Sequence, residues 1–394
     1  MPAKSPPISL YAHFPWCVKK CPYCDFNSHP LRGRIDQRAY IDALISDLEA
    51  DLARYHLGHG ERPLVSIFLG GGTPSLFSAS AMARLLTGVA ARLPFAPGIE
   101  VTMEANPGGV EHDDFAAYQS AGINRLSIGA QSFDDAQLAK LGRIHTACET
   151  RRAAGAARAA GFTNLNLDLM HGLPGQTTAD ALRDLDTAIA LDPAHLSLYQ
   201  LTIEPHTEFH RRPPRLPDAD RALDMQRALT VRARAAGYRR YEVSAFARPG
   251  KRCRHNLNYW RFGDYLGIGA GAHGKITVTD GVERYWKIRH PGRFLASAGG
   301  DEALAGVRRI ADDEMLFEFL MNALRLTDGV APALASARTG KAAADIAAAL
   351  STAIERRWIR VSQNRIRCTA AGYRLLDEIL QELLPSHSVT PAVF

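Results

Sequence analysis

Residues 8–28 read ISLYAHFPWCVKKCPYCDFNS. The first seven are a short aliphatic and aromatic run, which predicts a β-strand over 8–14. Cys17, Cys21 and Cys24 follow at once in the order Cys-x3-Cys-x2-Cys, so three thiols leave one loop at the carboxyl end of that strand. Three thiolates on one loop point to metal in a reducing compartment. A four-iron cluster held by three cysteines leaves one iron free for a small-molecule ligand. A structural zinc takes four ligands, and His13 or His29 would complete it. Unrelated free thiols are the third reading, and the surroundings of the loop favour the cluster.

Working outward, short β-branched or aliphatic runs at 65–69, 99–104, 125–130, 165–170 and 196–201 repeat the strand signal. Between the first two strands Tyr40, Ile41, Leu44, Ile45, Leu48, Leu52 and Tyr55 recur at three- and four-residue spacing, one apolar stripe on a helix. Further helices are expected over 78–92, 111–121, 150–160 and 178–191, some opening on the Ser, Thr or Asp that cap helices. This α/β alternation predicts a parallel sheet with crossover helices, either an open doubly wound sheet or an incomplete barrel. Spacing does not choose between them, and both place chemistry at the carboxyl ends of the strands.

The alternation breaks at the proline-rich stretch 211–217, which divides the chain into 1–217, a connecting region 218–299 and a third region 300–394. In the last, helical 312–326 and 342–357 precede a strand pair, 359–362 and 365–368, and a helix from Ala370. That α+β order is winged-helix-like, and a structural or lid role is expected for it.

Composition narrows the class. The 394 residues are 46% hydrophobic and 22% charged, typical of a globular chain. The net charge of +6 is mild, so no nucleic-acid partner is expected. Residues 1–9 carry no apolar core of a signal peptide, and no run approaches about 18 apolar residues, so a cytoplasmic address is expected, with peripheral membrane contact left open.

More polar residues fall at strand ends. Gly70, Gly71, Gly72, Thr73 and Pro74 follow the second strand, and no Gly-Lys-Ser/Thr follows them, which disfavours a phosphate loop. Glu104 ends the third strand, Gln131 the fourth, and Asp168 lies on the fifth, with Arg143 in the connection after Gln131. With Tyr11 and Tyr23 beside and inside the cysteine loop, these residues resemble the HemN and HemW branch of radical S-adenosylmethionine (SAM) proteins over nearly the whole chain. The resemblance implies a partial (β/α)6 barrel and a [4Fe-4S] cluster on Cys17, Cys21 and Cys24. It also implies SAM contacts from Tyr11, Tyr23, Gly72, Thr73, Glu104, Gln131, Arg143 and Asp168. Arg143 suits the SAM carboxylate, because guanidinium matches it bidentately.

Two features separate the branches. HemN-type porphyrinogen oxidases typically carry a fourth cysteine where this chain has Phe26, and their catalytic domain follows a longer extension than the ten residues before Tyr11. Both departures resemble HemW-type haem chaperones. His255-Asn256-Leu257-Asn258-Tyr259-Trp260 resembles the His-Asn-x-x-Tyr-Trp motif associated with haem in that family, so haem contacts are implied for His255, Tyr259 and Trp260. Imidazole ligates haem iron and aromatic faces cover a macrocycle. A packed loop with a satisfied histidine is the plainer reading, and neighbouring Cys253 is an alternative ligand. Lys251, Arg252 and Arg254 suit haem propionates or acidic lipid, or form a solvated basic turn.

Gly269, Gly271 and Gly274 match Gly-x-Gly-x-x-Gly, but without a strand-turn-helix unit they are expected to give backbone freedom near the pocket, not a dinucleotide site. His145, His171 and His273 are further pocket candidates, and Cys148 and Cys368 are ordinary thiols. The implied function is a haem chaperone that uses the cluster and SAM and delivers haem to acceptor haemoproteins, without porphyrinogen oxidase activity. The alternatives are an oxygen-independent coproporphyrinogen III oxidase and a DNA-binding redox regulator.

Overall fold

A computed structural model describes residues 5–58, 62–108 and 114–384. The expected strands form: β1 (Ile8–Phe14), β2 (Leu64–Gly71), β3 (Phe95–Ala105), β4 (Arg125–Gln131), β5 (Leu165–His171) and β6 (His195–Gln200). The main helices between them are α1 (Gln37–Arg54), α2 (Ala79–Ala90), α3 (Phe115–Ser120), α4 (Ala147–Ala159) and α5 (Thr178–Ala190), with a short helix Asp135–Lys140 ahead of α4. The beginning of the helix expected from Glu111 lies outside the described residues. Capping boxes at Thr146/Glu149 and Thr177/Asp180 fix where α4 and α5 begin.

Each strand from β1 to β6 pairs in parallel with the next in chain order. A doubly wound sheet reverses its strand order at a switch point; this one does not, so the six units wind in one direction, as in a barrel. The period of two then divides the sheet. Leu10, Ala12, Ile67, Met103, Ile128 and Leu167 lie in the main apolar core. The opposite face is polar, and its cross-strand pairs show it: Ser9 to Ser66 at 2.8 Å, Ser127 to Asp168 at 2.9 Å and Asn166 to Ser127 at 2.7 Å.

The sheet continues beyond the six units. A strand β7 (Asp264–Ile268) pairs in parallel with the free side of β1. From it β8 (His273–Val278), β9 (Gly281–Lys287) and β10 (Leu304–Arg309) extend the sheet antiparallel, so segment 218–299 contributes strands to the same twelve-stranded sheet. Buried ion pairs seal this extension. Lys287 Nζ lies 2.6 Å from both Asp47 and Asp51 of α1, and Lys275 Nζ lies 3.0 Å from Asp264.

A second apolar core, with Phe319, Leu320, Ile346, Ile359 and Ile366, holds the C-terminal region together. Its strands Ile359–Val361 and Ile366–Cys368 pair antiparallel, as expected. The helix expected over 342–357 is two, Ala343–Ala349 and Ser351–Glu355, and a further helix, Pro332–Thr339, precedes them. Among the described residues no helix is long and apolar enough to cross a membrane.

Candidate functional site

The cysteine loop sits over the carboxyl ends of β1 to β5. Cys24 N donates to Cys21 O at 3.1 Å and Phe209 N donates to Pro22 O at 2.9 Å, which closes the loop and pins its middle. Cys17, Cys21 and Cys24 are free and half-buried. Burial pushes Cys17 up to about 11 and raises Cys24.

The histidines offered as fourth zinc ligands are engaged elsewhere. His13 Nε2 lies 2.9 Å from the Asn27 carbonyl, which only accepts, so this nitrogen carries the proton and Nδ1 accepts from Tyr11 Oη at 2.9 Å. His29 Nε2 faces Asn27 Oδ1 at 3.2 Å. Among the described residues no three His, Cys, Asp or Glu side chains converge as one metal ion requires. A four-iron cluster makes a different demand, one thiolate on each of three irons, and three cysteines without a fourth ligand fit it.

A hydrogen-bonded chain ties the loop to the strand ends. Arg143 Nη1 lies 3.7 Å from Cys21 Sγ, while its Nη2 donates to Asn106 Oδ1 at 2.5 Å and to Gly129 O at 3.0 Å. Asn106 Nδ2 donates in turn to Thr73 Oγ1 at 3.0 Å, and the Thr73 hydroxyl meets Cys17. Asn106 escaped sequence reading, although it stands two residues past Glu104 and so continues the same strand face. Tyr23, inside the loop, has its ring 6.4 Å from that of Phe209.

The glycine run makes room for its neighbours. A Cβ on Gly72 would stand 2.5 Å from Trp16 O, and one on Gly71 about 2.5 Å from the His13 ring. Gly71 N donates to Glu104 Oε2 at 3.0 Å. Burial, then the nearby Asp168 carboxylate, raises Glu104 to about 8. Asp168 is also raised by burial, against hydrogen bonds from Ser127 and Asn166 that favour its charged form. Gln131 adopts φ 64°, a left-handed conformation unusual for a side-chain-bearing residue, at a register irregularity of β4. Tyr199, not singled out by sequence, feels both Asp168 and Glu104 from β6.

The His-Asn-x-x-Tyr-Trp motif forms helix α6 (Arg254–Trp260), which plugs the polar side of the sheet. Glu100 Oε1 accepts from Arg254 N at 2.8 Å and from His255 N at 3.4 Å, capping it. His255 is 3% exposed, stacked on Phe68 at 4.7 Å, with the Tyr11 ring at 6.3 Å and the Tyr259 ring at 4.3 Å. Burial lowers it to about 3, so the imidazole is neutral, and its Nδ1 has no hydrogen-bond partner. Trp260 instead meets the C-terminal region, under Arg325 at 4.2 Å.

Of the other candidates, Arg252 pairs with Asp328 at 2.6 Å and Arg254 Nη1 donates to Gly98 O at 2.6 Å. Cys253 is buried and pushed up to about 12. His145 lies 3.2 Å from Ala130 O, His171 Nδ1 finds no partner, and His273 of β8 stacks on Trp286 of β9.

The description Radical SAM superfamily matches residues 11–188, and HemN C-terminal domain matches 310–375. The protein named heme chaperone HemW of Escherichia coli (strain K12) is 49% identical over 382 residues, which cover 97% of this chain and 99% of that one. The chain belongs to the HemW family. Its HemW relative in Mycobacterium tuberculosis (strain ATCC 25618 / H37Rv) is 36% identical over 392 residues, 97% of this chain and 96% of that one. The solved structure of coproporphyrinogen III oxidase (HemN) from Escherichia coli superposes with TM-score 0.80 at 23% identity, over 97% of this chain and 91% of that one, so the chain shares its fold.

Proposed function

We propose that this chain is a haem chaperone that holds a [4Fe-4S] cluster on Cys17, Cys21 and Cys24, binds SAM over the strand ends, and passes haem to acceptor haemoproteins in the cytoplasm. The observation that carries it is 49% identity, over almost its full length, to a protein named heme chaperone HemW. When bound, the cluster and SAM supply one-electron chemistry; this chain's residues supply position. Arg143, oriented by Asn106 and Gly129 beside Cys21, suits a carboxylate next to the cluster. Glu104 and Asp168 suit ribose hydroxyls, and Gln131, Tyr11, Tyr23, Gly72 and Thr73 complete the pocket. Neutral His255, with Nδ1 unengaged, suits haem iron, with the Tyr259 ring 4.3 Å away; Trp260, turned to the C-terminal region, would reach haem only from that side. The division of labour follows the chain: cluster and SAM on 1–217, haem on 218–299, and cover from 300–394.

Anaerobic haem titration of the cluster-loaded chain is expected to saturate, and His255→Ala is expected to abolish the specific absorption while Trp260→Ala weakens it. Saturable binding untouched by either variant would move haem away from α6. SAM-dependent decarboxylation of coproporphyrinogen would overturn the chaperone reading in favour of the oxidase.

A further inference from the structure

The glycine-rich run 267–274 has no part in the chemistry above, yet it lies directly against the cysteine loop. Asn27, three residues past Cys24, donates its side-chain amide to Ala270 O and to Arg289 O, each at 2.9 Å. Its side-chain oxygen faces Arg289 Nε at 3.4 Å, and its main-chain carbonyl accepts from His13 Nε2 at 2.9 Å. The glycines make this contact possible. Gly271 has φ +77°, and a Cβ there would stand 2.2 Å from Asn27 Nδ2. Gly269 has φ +102°, and its Cβ would stand 2.6 Å from His13 O.

The glycine run is in turn fixed from behind. Gly269 N donates to Asp47 Oδ2 at 3.0 Å, and Asp47 is bound to Lys287. Tyr40 Oη accepts from Ala270 N at 3.3 Å and donates to His13 O at 2.7 Å. A mobile partner would transmit no position; this one is mostly buried and bonded on several sides.

We infer that Asn27 is a positioning residue for the cluster: it hooks the cysteine loop onto a rigid glycine collar and so sets where the thiols stand over the strand ends. The inference rests on the reading of Cys17, Cys21 and Cys24 as cluster ligands. Without the hook the loop keeps its cysteines but loses the two bonds the Asn27 amide donates and the contacts of its side-chain oxygen with Arg289 and His29, and their loss is expected to appear as faster release of the cluster.

Full-length wild type, Asn27→Ala and Gly271→Ala are reconstituted anaerobically with iron and sulfide, then challenged with an iron chelator while the visible absorption is followed. Both variants are expected to bleach about tenfold faster than wild type. Their reduced-state EPR spectra are expected to broaden, while the metal-free chains melt within about 4 °C of wild type. Because the two substitutions break one contact from opposite sides, the double variant is expected to be no worse than the worse single one. Asn27→Asp, similar in size but lacking both donors, replaces the alanine variant if that chain is insoluble. Wild-type bleaching rates and spectra in the variants overturn the inference, as does faster bleaching that merely tracks a lower melting temperature of the metal-free chain. Failure of wild type to take up a cluster overturns the cluster reading itself.

Discussion

Glu104 carries the sharpest electrostatic conflict in the site. Burial and the neighbouring Asp168 raise it from an ordinary 4.5 to about 8. The unfolded chain ionises this carboxyl first, so between those values the folded state holds the extra proton and stability falls as pH rises. Below 4.5 both states are protonated and the penalty vanishes. Glu104→Gln, which cannot ionise, is therefore expected to raise the melting temperature of the metal-free chain at about pH 8.5 and to leave it unchanged near pH 4. Melts across that range check it, and an equal shift at both ends would assign the effect to packing instead. The strand-end placement of Glu104 and Gln131 was readable because a lone polar residue after an aliphatic run marks the end of a buried strand. Asn27 and Asn106 were not readable. Their partners, Ala270 and Arg289 for one, Thr73 and Arg143 for the other, are far away in sequence, and an asparagine in a loop has an ordinary local explanation.

At the scale of elements, α1 and β9 are joined by a buried triad. Lys287, Asp47 and Asp51 are each about 1% exposed, and Tyr285 Oη donates to Asp51 Oδ2 at 2.8 Å. Removing the cation leaves two carboxylates in the core, so Lys287→Met is expected to cost about 3–5 kcal/mol in urea unfolding. A cost under about 1 kcal/mol would mean that the carboxylates are neutralised by protons instead. The same triad explains which elements were hidden in the sequence. β1 to β6 announce themselves by aliphatic runs, whereas β8 and β9 carry Lys275, Arg284 and Lys287 where a strand's core residues belong. Those cations are compatible with burial only because Asp264, Asp47 and Glu318 meet them, and no local pattern shows that. Helix α6 was hidden for a related reason: its cap, Glu100, comes from a strand more than 150 residues earlier.

For the whole molecule, the winding direction was undecidable from spacing and became clear only from the sheet order, which is monotonic from β1 to β6. The same order makes β1 an interior strand, flanked by β2 and by β7. A fragment of residues 1–217 would expose the edge of β1 and leave Asp47 and Asp51 without Lys287. It is expected to be aggregated or protease-sensitive, as limited proteolysis and circular dichroism would show; a soluble fragment with native-like melting would show that the first six units fold alone.

The hook between Asn27 and its collar also has a history in time. Asn27 leaves the ribosome well before its partners: Ala270 follows it by 243 residues and Arg289 by 262. At roughly 5–20 residues per second the loop waits on the order of ten to fifty seconds before the hook can close. Thiols that meet iron before Arg289 is made would do so on a loop not yet hooked, so the collar can act only late in synthesis or after it.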